Sequence, residues 1–336
     1  MLYIVANTQY ELTQKILSEI NVYETRIIDG LNYFRYKSKF LKKICTMLFM
    51  LNFSLPYRFI FSNTFIAKIQ NINADDSILF WDICLFDLIN EICSVVKSKN
   101  IKVFFWNTIG KSKSLKGKLW FKQIKKLKKK IEFLTFDSAD ATNYGFKITN
   151  QICYDPNKYF VETGHLKDSD VYFVGKDKGR YEIVNSIYEE LISFGFVCDF
   201  NVVRDKTSPI KVNHAWGLFE LTFEDNIAHI NKTKALLEIV KEKQIGLTMR
   251  TLESLFFKKK LITNNRDIEN YDFYSPKNIF ILGKDEHIEV FLKSDFDDTI
   301  KFNKADYLID TWLEKNLMNI NACYLINGLN KSKGQG

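Results

Sequence analysis

The chain has 336 residues, 46% of them hydrophobic and 26% charged, which excludes a disordered polymer and exceeds what one hydrophobic core ordinarily organises. Its net charge of +8 is uneven: ten Lys and no acid fall between Lys111 and Lys130, and subtracting them leaves the rest of the chain at −2. Six Cys, at 45, 84, 93, 153, 198 and 323, form no CxxC pair and have no His partner at zinc-ligand spacing, so they read as reduced core thiols.

The start, Met1-Leu2-Tyr3-Ile4-Val5, has no basic flank, and Gln9 and Glu11 interrupt it, unlike a secretory leader. No run of roughly 18 uncharged apolar residues occurs. The nearest, residues 44–53, suits a buried or interfacial helix better than a membrane span. These features predict a cytoplasmic protein, at most peripheral on a membrane.

Residues 2–5 read as a strand, and 8–20 as a helix with Leu12, Ile16 and Leu17 on one side. The alternation returns with a strand at 77–81, a helix at 84–96 and a strand at 101–106. Between Lys111 and Lys130, Trp120, Ile124 and Leu127 recur at helical spacing, giving one apolar and one cationic face. That pattern suits a helix lying on an anionic bilayer, and equally a helix whose apolar stripe packs on a core. Nucleic-acid binding is set aside, because the charge is confined to one helix.

A strand at 131–136 precedes a helical turn at 137–144, and residues 145–162, with weak periodicity and Pro156, mark a domain boundary. The second half repeats the pattern: strand 171–174, polar loop 175–180, helix 181–193 stopped at Gly195, and strand 196–203. There follow a helix near 225–232, a strand at 235–240, a polar loop ending at Gly246, a helix at 248–257, and strands at 260–263 and 278–282. A last helix near 305–316 could cross back to the first domain, and 326–336 reads as a tail. Alternating strands and helices predict an α/β chain of two Rossmann-like domains, 1–160 and 161–325.

The segment 242–255 combines a polar loop, Gly246 for close backbone approach, Thr248 as a helix cap, and Arg250 and Glu253 three apart on one helical face. Free amides at a helix N-terminus beside an Arg suit a diphosphate, and Glu253 suits ribose hydroxyls. An ordinary helix cap with an Arg–Glu pair explains the same spacing. Gly175, Lys176, Lys178 and Arg180 follow the first strand of the second domain, where a nucleotide-binding sheet offers its carboxyl edge; a solvated turn is the competing account.

The block Gly246-Leu247-Thr248-Met249-Arg250-Thr251-Leu252-Glu253-Ser254-Leu255, with Leu261-Ile262-Thr263-Asn264-Asn265 after it, resembles the donor-site signature of GT-B glycosyltransferases. With residues 172–180 and 271–280, it is similar to bacterial lipopolysaccharide-core, O-antigen and capsule biosynthesis enzymes over about 120 residues of the second half. The first half carries the resemblance only at Thr135-Phe136-Asp137 and Tyr144-Gly145.

The resemblance implies two Rossmann-like domains facing a cleft, and transfer of a sugar from a nucleotide-sugar donor to a hydroxyl of a lipid-linked glycan acceptor. The donor would be held by Gly175, Lys178, Arg180, Gly246, Thr248, Arg250 and Glu253. The base would come from the first domain, where Asp82, at a strand end, leads and Asp137 follows; a helix cap is the plainer use of either. His165, His214, His229 and His287 lack metal-ligand spacing, and Asp168-Ser169-Asp170 and Asp295-Phe296-Asp297 read as surface turns. No metal or other cofactor is therefore expected. The alternative from another class is a non-catalytic GT-B-like protein binding a nucleotide or glycan in the same pathway.

Overall fold

The computed structural model describes residues 1–317 apart from 52, 54, 110–114, 210–212, 214 and 241–244. The chain is α/β and divides into two compact units: Met1–Ile152 with residues 306–317, and Cys153–Ala305. The second unit therefore begins earlier than the boundary read from the sequence. Residues 306–317 belong to the first unit, as expected of a last helix that crosses back, although the domain range 161–325 had included them. The predicted tail at 326–336 and His214 lie outside the described residues.

The first unit holds a six-stranded parallel sheet in the order β2-β1-β3-β4-β5-β6. Its strands are β1 (Leu2–Ala6), β2 (Thr25–Asp29), β3 (Ser77–Trp81), β4 (Asn100–Phe105), β5 (Glu132–Thr135) and β6 (Lys147–Ile148). β1 and β3 are buried along their whole length, because parallel strands linked by helices are covered on both faces. One face sets Val5, Phe80, Val103 and Phe105 in a core with Phe65, Ile89, Ile92, Ile124 and Leu127 from the helices Asn63–Gln70, Phe86–Val95 and Leu115–Leu127. On the other, Trp312 of the helix Ile309–Leu317 packs 4.6 Å from Phe104 and 6.5 Å from Trp81, ring centre to ring centre.

Between β2 and β3 the sequence reading offered only a helical segment at 44–53, and the structure has the helices Lys39–Met50 and Asn63–Gln70 and a short turn of helix, Tyr57–Ile60. β2 itself has only one buried residue, Ile28, so it lacks the apolar run that makes a parallel strand visible.

The second unit holds a five-stranded parallel sheet, β11-β10-β9-β7-β8. Its strands are β7 (Ser169–Lys176), β8 (Cys198–Val203), β9 (Thr233–Glu238), β10 (Lys260–Thr263) and β11 (Ile279–Ile281). Val171, Phe173, Phe200, Ala235 and Leu237 face a core completed by Val184, Ile187 and Leu191 of the helix Tyr181–Ser193. The opposite face carries the helices Phe223–Asn231 and Met249–Phe256. The chain runs from β7 to β8 on one side and then crosses to β9 on the other. The reversal of strand order lies between β7 and β9.

Candidate functional site

Ligands of open α/β sheets bind at the carboxyl ends of strands where the strand order reverses. At that place in the second unit is a pocket of about 150 Å³, lined by Phe173 and Val174 of β7, Leu237 and Glu238 of β9, and Ile239, Val240, Lys178, Arg180, Thr248 and Arg250. Small-molecule sites usually run to roughly 300–1,000 Å³. This one has room for a diphosphate-sized group but not for a whole nucleotide sugar. Three cations and one carboxylate line it, so it favours an anion.

The loop after β7 is held from within. Asp177, 2% exposed, accepts from the Arg180 and Tyr181 amides at 2.8 Å each through Oδ1 and thereby caps the helix Tyr181–Ser193. Lys178 and Gly179 turn the chain with φ of 51° and 76°, and the Lys178 amide donates to Asp205 Oδ2 at 3.0 Å. The Lys178 side chain stays exposed at the pocket edge. Lys176 pairs with Glu220 at 2.8 Å.

Arg180 donates to the carbonyls of Lys176, Asp177 and Ile239 at 2.5, 3.0 and 2.5 Å, which ties the exit of β7 to that of β9. Three of its five N–H groups are thus used on the protein's own backbone. Burial lowers its pKa, but a guanidinium keeps its charge at neutral pH. Gly175 leaves space for this arrangement: a Cβ there would lie 3.3 Å from Arg180 Nη2. Gly175 does not itself line the pocket.

On the other wall, Thr248 caps the helix Met249–Phe256, its Oγ1 accepting from the Arg250 amide at 3.0 Å and the Thr251 amide at 3.5 Å. Two amides expected to be free for a phosphate are therefore taken by the cap. The same hydroxyl donates to Glu238, which also accepts from Thr251 Oγ1 at 2.7 Å and Thr263 Oγ1 at 2.5 Å. Asn264 holds the main chain of Val240 at both its N–H and its carbonyl, 2.7 and 3.1 Å, fixing the chain where it leaves β9. Gly246 is buried and does not line the pocket.

Arg250 Nη1 lies 2.8 Å from Glu253 Oε2, out of hydrogen-bond alignment, and Nη2 donates to Asn226 Oδ1 at 3.4 Å. The guanidinium stands 5.3 Å from the centre of the Tyr172 ring. Burial opposes its charge, while Glu253, Tyr172, Tyr154 and Glu238 more than offset that and hold its pKa above the ordinary value. Glu253 is 4% exposed, and its Oε1 accepts from Tyr154 OH at 2.9 Å and Asn226 Nδ2 at 3.0 Å. Glu253, expected to meet ribose hydroxyls, has its carboxylate engaged by Tyr154, Asn226 and Arg250 and is not part of the pocket lining.

Glu238, Asn226, Tyr154 and Tyr172 organise this site and were missed in the sequence. Glu238 had a signal, a lone acid at the end of an apolar strand, whereas Asn226 and Tyr154 are brought in by packing alone.

In the first unit, strand order reverses between β1 and β3, and Asp82 follows the carboxyl end of β3. Its φ is 53°, an uncommon conformation for a residue other than Gly. Its carboxylate accepts from the Asn107 amide at 3.1 Å and from Asn107 Nδ2 at 2.6 Å. Burial raises its pKa, and the Asn107 hydrogen bonds pull it back in part. Asp137 is 1% exposed and caps the helix Ser138–Tyr144, accepting from the Asp140 amide at 2.9 Å. The plainer of its two sequence readings, a helix cap, is therefore the use its carboxylate has here.

Trp120, Ile124 and Leu127 of the helix Leu115–Leu127 face inward, Trp120 packing on Phe86, while Lys118, Lys122, Lys125 and Lys126 are exposed. Its apolar stripe thus packs on the core, and among its described side chains the exposed ones are lysines. Asp168 and Asp170 pair with Lys232 and Lys234 at 3.1 and 2.8 Å. Among the described residues no three His, Cys, Asp or Glu side chains gather as a metal-ligand set, and Cys45, Cys84, Cys93, Cys153 and Cys198 are not joined in disulfides. No described helix is long and apolar enough to cross a membrane.

No protein-family model and no curated protein matches the chain. Among solved structures it is similar to the N-terminal domain of Candida albicans trehalose-6-phosphate phosphatase, at 12% identity and a TM-score of 0.48 over 98% of this chain and 99% of that one. At that level of likeness no residue role passes from one to the other.

Proposed function

We propose that the protein is a GT-B-type glycosyltransferase, moving a sugar from a nucleotide-sugar donor to a hydroxyl of a growing, lipid-linked bacterial surface glycan such as lipopolysaccharide, O-antigen or capsule. The observation that carries the reading is the pocket at the β7/β9 reversal, lined by Lys178, Arg180, Arg250 and Thr248, in a segment whose sequence resembles the donor signature of such enzymes. In this reading the pocket takes the donor's diphosphate, and its cations stabilise the departing nucleotide as charge develops on it. Lys178, exposed at the rim, closes on the phosphates, while Arg180 and Arg250 supply fixed positive charge. Glu253 acts as a positioning residue: it orients Arg250.

The acceptor is held by the first unit, and Asp82 takes the proton of the attacking hydroxyl. A carboxylate whose pKa is raised by burial and moderated by Asn107 is a better base than a fully solvated one. A second reading, a nucleotide- or glycan-binding protein without transfer activity, draws on the engagement of Arg180 and Glu253 with the protein itself.

The test is thermal melting of the purified chain with UDP, dTDP, GDP or CMP, with and without Mg²⁺, for the parent and Lys178→Ala. Ligand at about 100 times its Kd stabilises by about 2.7 kcal/mol. A rise with one nucleotide, reduced in Lys178→Ala while its ligand-free melt is unchanged, is the expected outcome. Absence of a shift with every nucleotide would remove the donor site. Binding without transfer, to any acceptor tried, would select the second reading.

A further inference from the structure

The positive charge is not confined to one helix, as the sequence reading had it: between Gly30 and Ala74 the chain contains no acidic residue, yet it carries Arg35, Lys37, Lys39, Lys42, Lys43, Arg58 and Lys68. The middle of this stretch is an excursion from the first unit, closed at its base. Phe34 bridges Phe61 in antiparallel fashion, the Arg35 amide donates to the Ile60 carbonyl at 2.8 Å, and the Ser62 amide donates to that of Tyr33 at 2.9 Å. Below this neck Tyr33, Phe61 and Phe65, at most 3% exposed, pack edge to face. Lys42 sits over the Tyr33 ring at 4.7 Å, and the helix Lys39–Met50 lies against the helices Phe86–Val95 and Leu115–Leu127.

The anchoring leaves large apolar side chains outside. Phe40 is 71% exposed, Met47 53% and Leu51 53%, and these three fall at i, i+7 and i+11 along one stripe. Phe53 and Phe59, beyond the helix, are 64% and 61% exposed. An apolar patch on a soluble surface marks something that covers it. Arg35, Lys37, Lys39, Lys43 and Arg58 are exposed around it, and the neighbouring helix adds Lys118, Lys122, Lys125 and Lys126. The occupant must therefore be apolar inside and negatively charged at its boundary.

We propose that this lobe is a membrane-docking wedge: Phe40, Met47, Leu51, Phe53 and Phe59 enter the acyl boundary of an anionic bilayer, and the surrounding Arg and Lys bind its phosphate headgroups. The cationic face of the helix Leu115–Leu127 serves as a second contact, supplying charge but no apolar insertion. Charge gathers the protein at an anionic surface, and apolar burial holds it there. The inference does not rest on glycosyl transfer, since a chain with no transferase activity would dock by the same residues.

The test is co-sedimentation of the full chain with phosphatidylcholine vesicles, with and without phosphatidylglycerol, for the parent and for the Phe40→Ser, Met47→Ser, Leu51→Ser triple variant. Binding is expected only with phosphatidylglycerol, is expected to weaken with salt, and should fall about tenfold or more in the triple variant. Because the three side chains are exposed, the variant's thermal melt should match the parent's. A Phe40→Trp reporter, whose emission shifts to the blue on entering lipid, decides the matter if the triple variant melts early. Equal binding by parent and variant, no binding to anionic vesicles, or an unshifted reporter overturns the proposal. So does a parent that is dimeric in size exclusion and made monomeric by the three substitutions, which would give the face to a second copy.

Discussion

Asp82 shows how burial and one neighbour can set a carboxylate between them. Burial favours its neutral form, and the two Asn107 hydrogen bonds favour the charged one, with the net pKa raised. In Asn107→Leu the side-chain donor at 2.6 Å is lost, and the pKa should move further up. A base works only when ionised, so activity falls as pH drops through that pKa, and the acid limb of the kcat/KM profile should move to higher pH. Carboxyl NMR titration of Asp82 checks the same shift without an assay. An unmoved titration would mean that Asn107 positions the loop without tuning the carboxylate. Glu238 differs, because three threonine hydroxyls donate to it from two elements and so join β9, β10 and the helix Met249–Phe256.

At the scale of elements, the pocket depends on how the loop after β7 passes into the helix Tyr181–Ser193. One oxygen of Asp177 accepts two amides at the start of that helix, and Arg180, in the same turn, reaches across to the carbonyl of Ile239. Asp177→Ala should cost about 1 kcal/mol, as lost caps generally do, and loosen the Arg180 staple. Asp177→Asn keeps an acceptor and should recover most of that loss. Urea melts of the two variants check this; equal melts would deny the cap its role. This part of the site was legible in the sequence, because Gly175 to Arg180 reads as a turn between an apolar strand and an amphipathic helix. The helix Met249–Phe256 was equally legible, with its Thr248 cap. The inward turn of Glu253 was not, because Tyr154 lies 99 residues away in sequence and Asn226 lies on another helix.

At the scale of the whole molecule, the chain leaves its first unit at Ile152 and returns at Asp306. The return is fixed by Trp312, 1% exposed, whose indole N–H donates to the Asn150 carbonyl at 3.1 Å, and by Asn316, which donates to Thr149 Oγ1 at 2.9 Å. Lys102 donates to the carbonyl of Asn316, and Asp310 accepts from the Asn21 amide at 2.8 Å. Trp312→Ala should destabilise the first unit by about 3–5 kcal/mol, the usual cost of removing a large buried aromatic. Limited proteolysis should then cut within residues 1–152 at lower temperature than in the parent, with 153–305 resisting as before. Parallel loss of both units would mean that they unfold together.

The sequence alone determined the α/β class and most of the strands, because fully buried parallel strands such as Leu2–Ala6 and Ser77–Trp81 are apolar end to end and the helices between them carry a regular stripe. It also located the Thr248-Arg250 and Lys178-Arg180 segments, since local turn and cap chemistry is written in neighbouring residues. Only the tertiary structure decided that Arg180 is spent on three carbonyls, that Glu253 faces inward, and that Asp137 is a cap. It also decided that the apolar stripe of the lysine-rich helix is buried while that of residues 40–51 is exposed. The reason is physical: periodicity fixes which residues share a face, but what that face meets depends on elements far away in the chain.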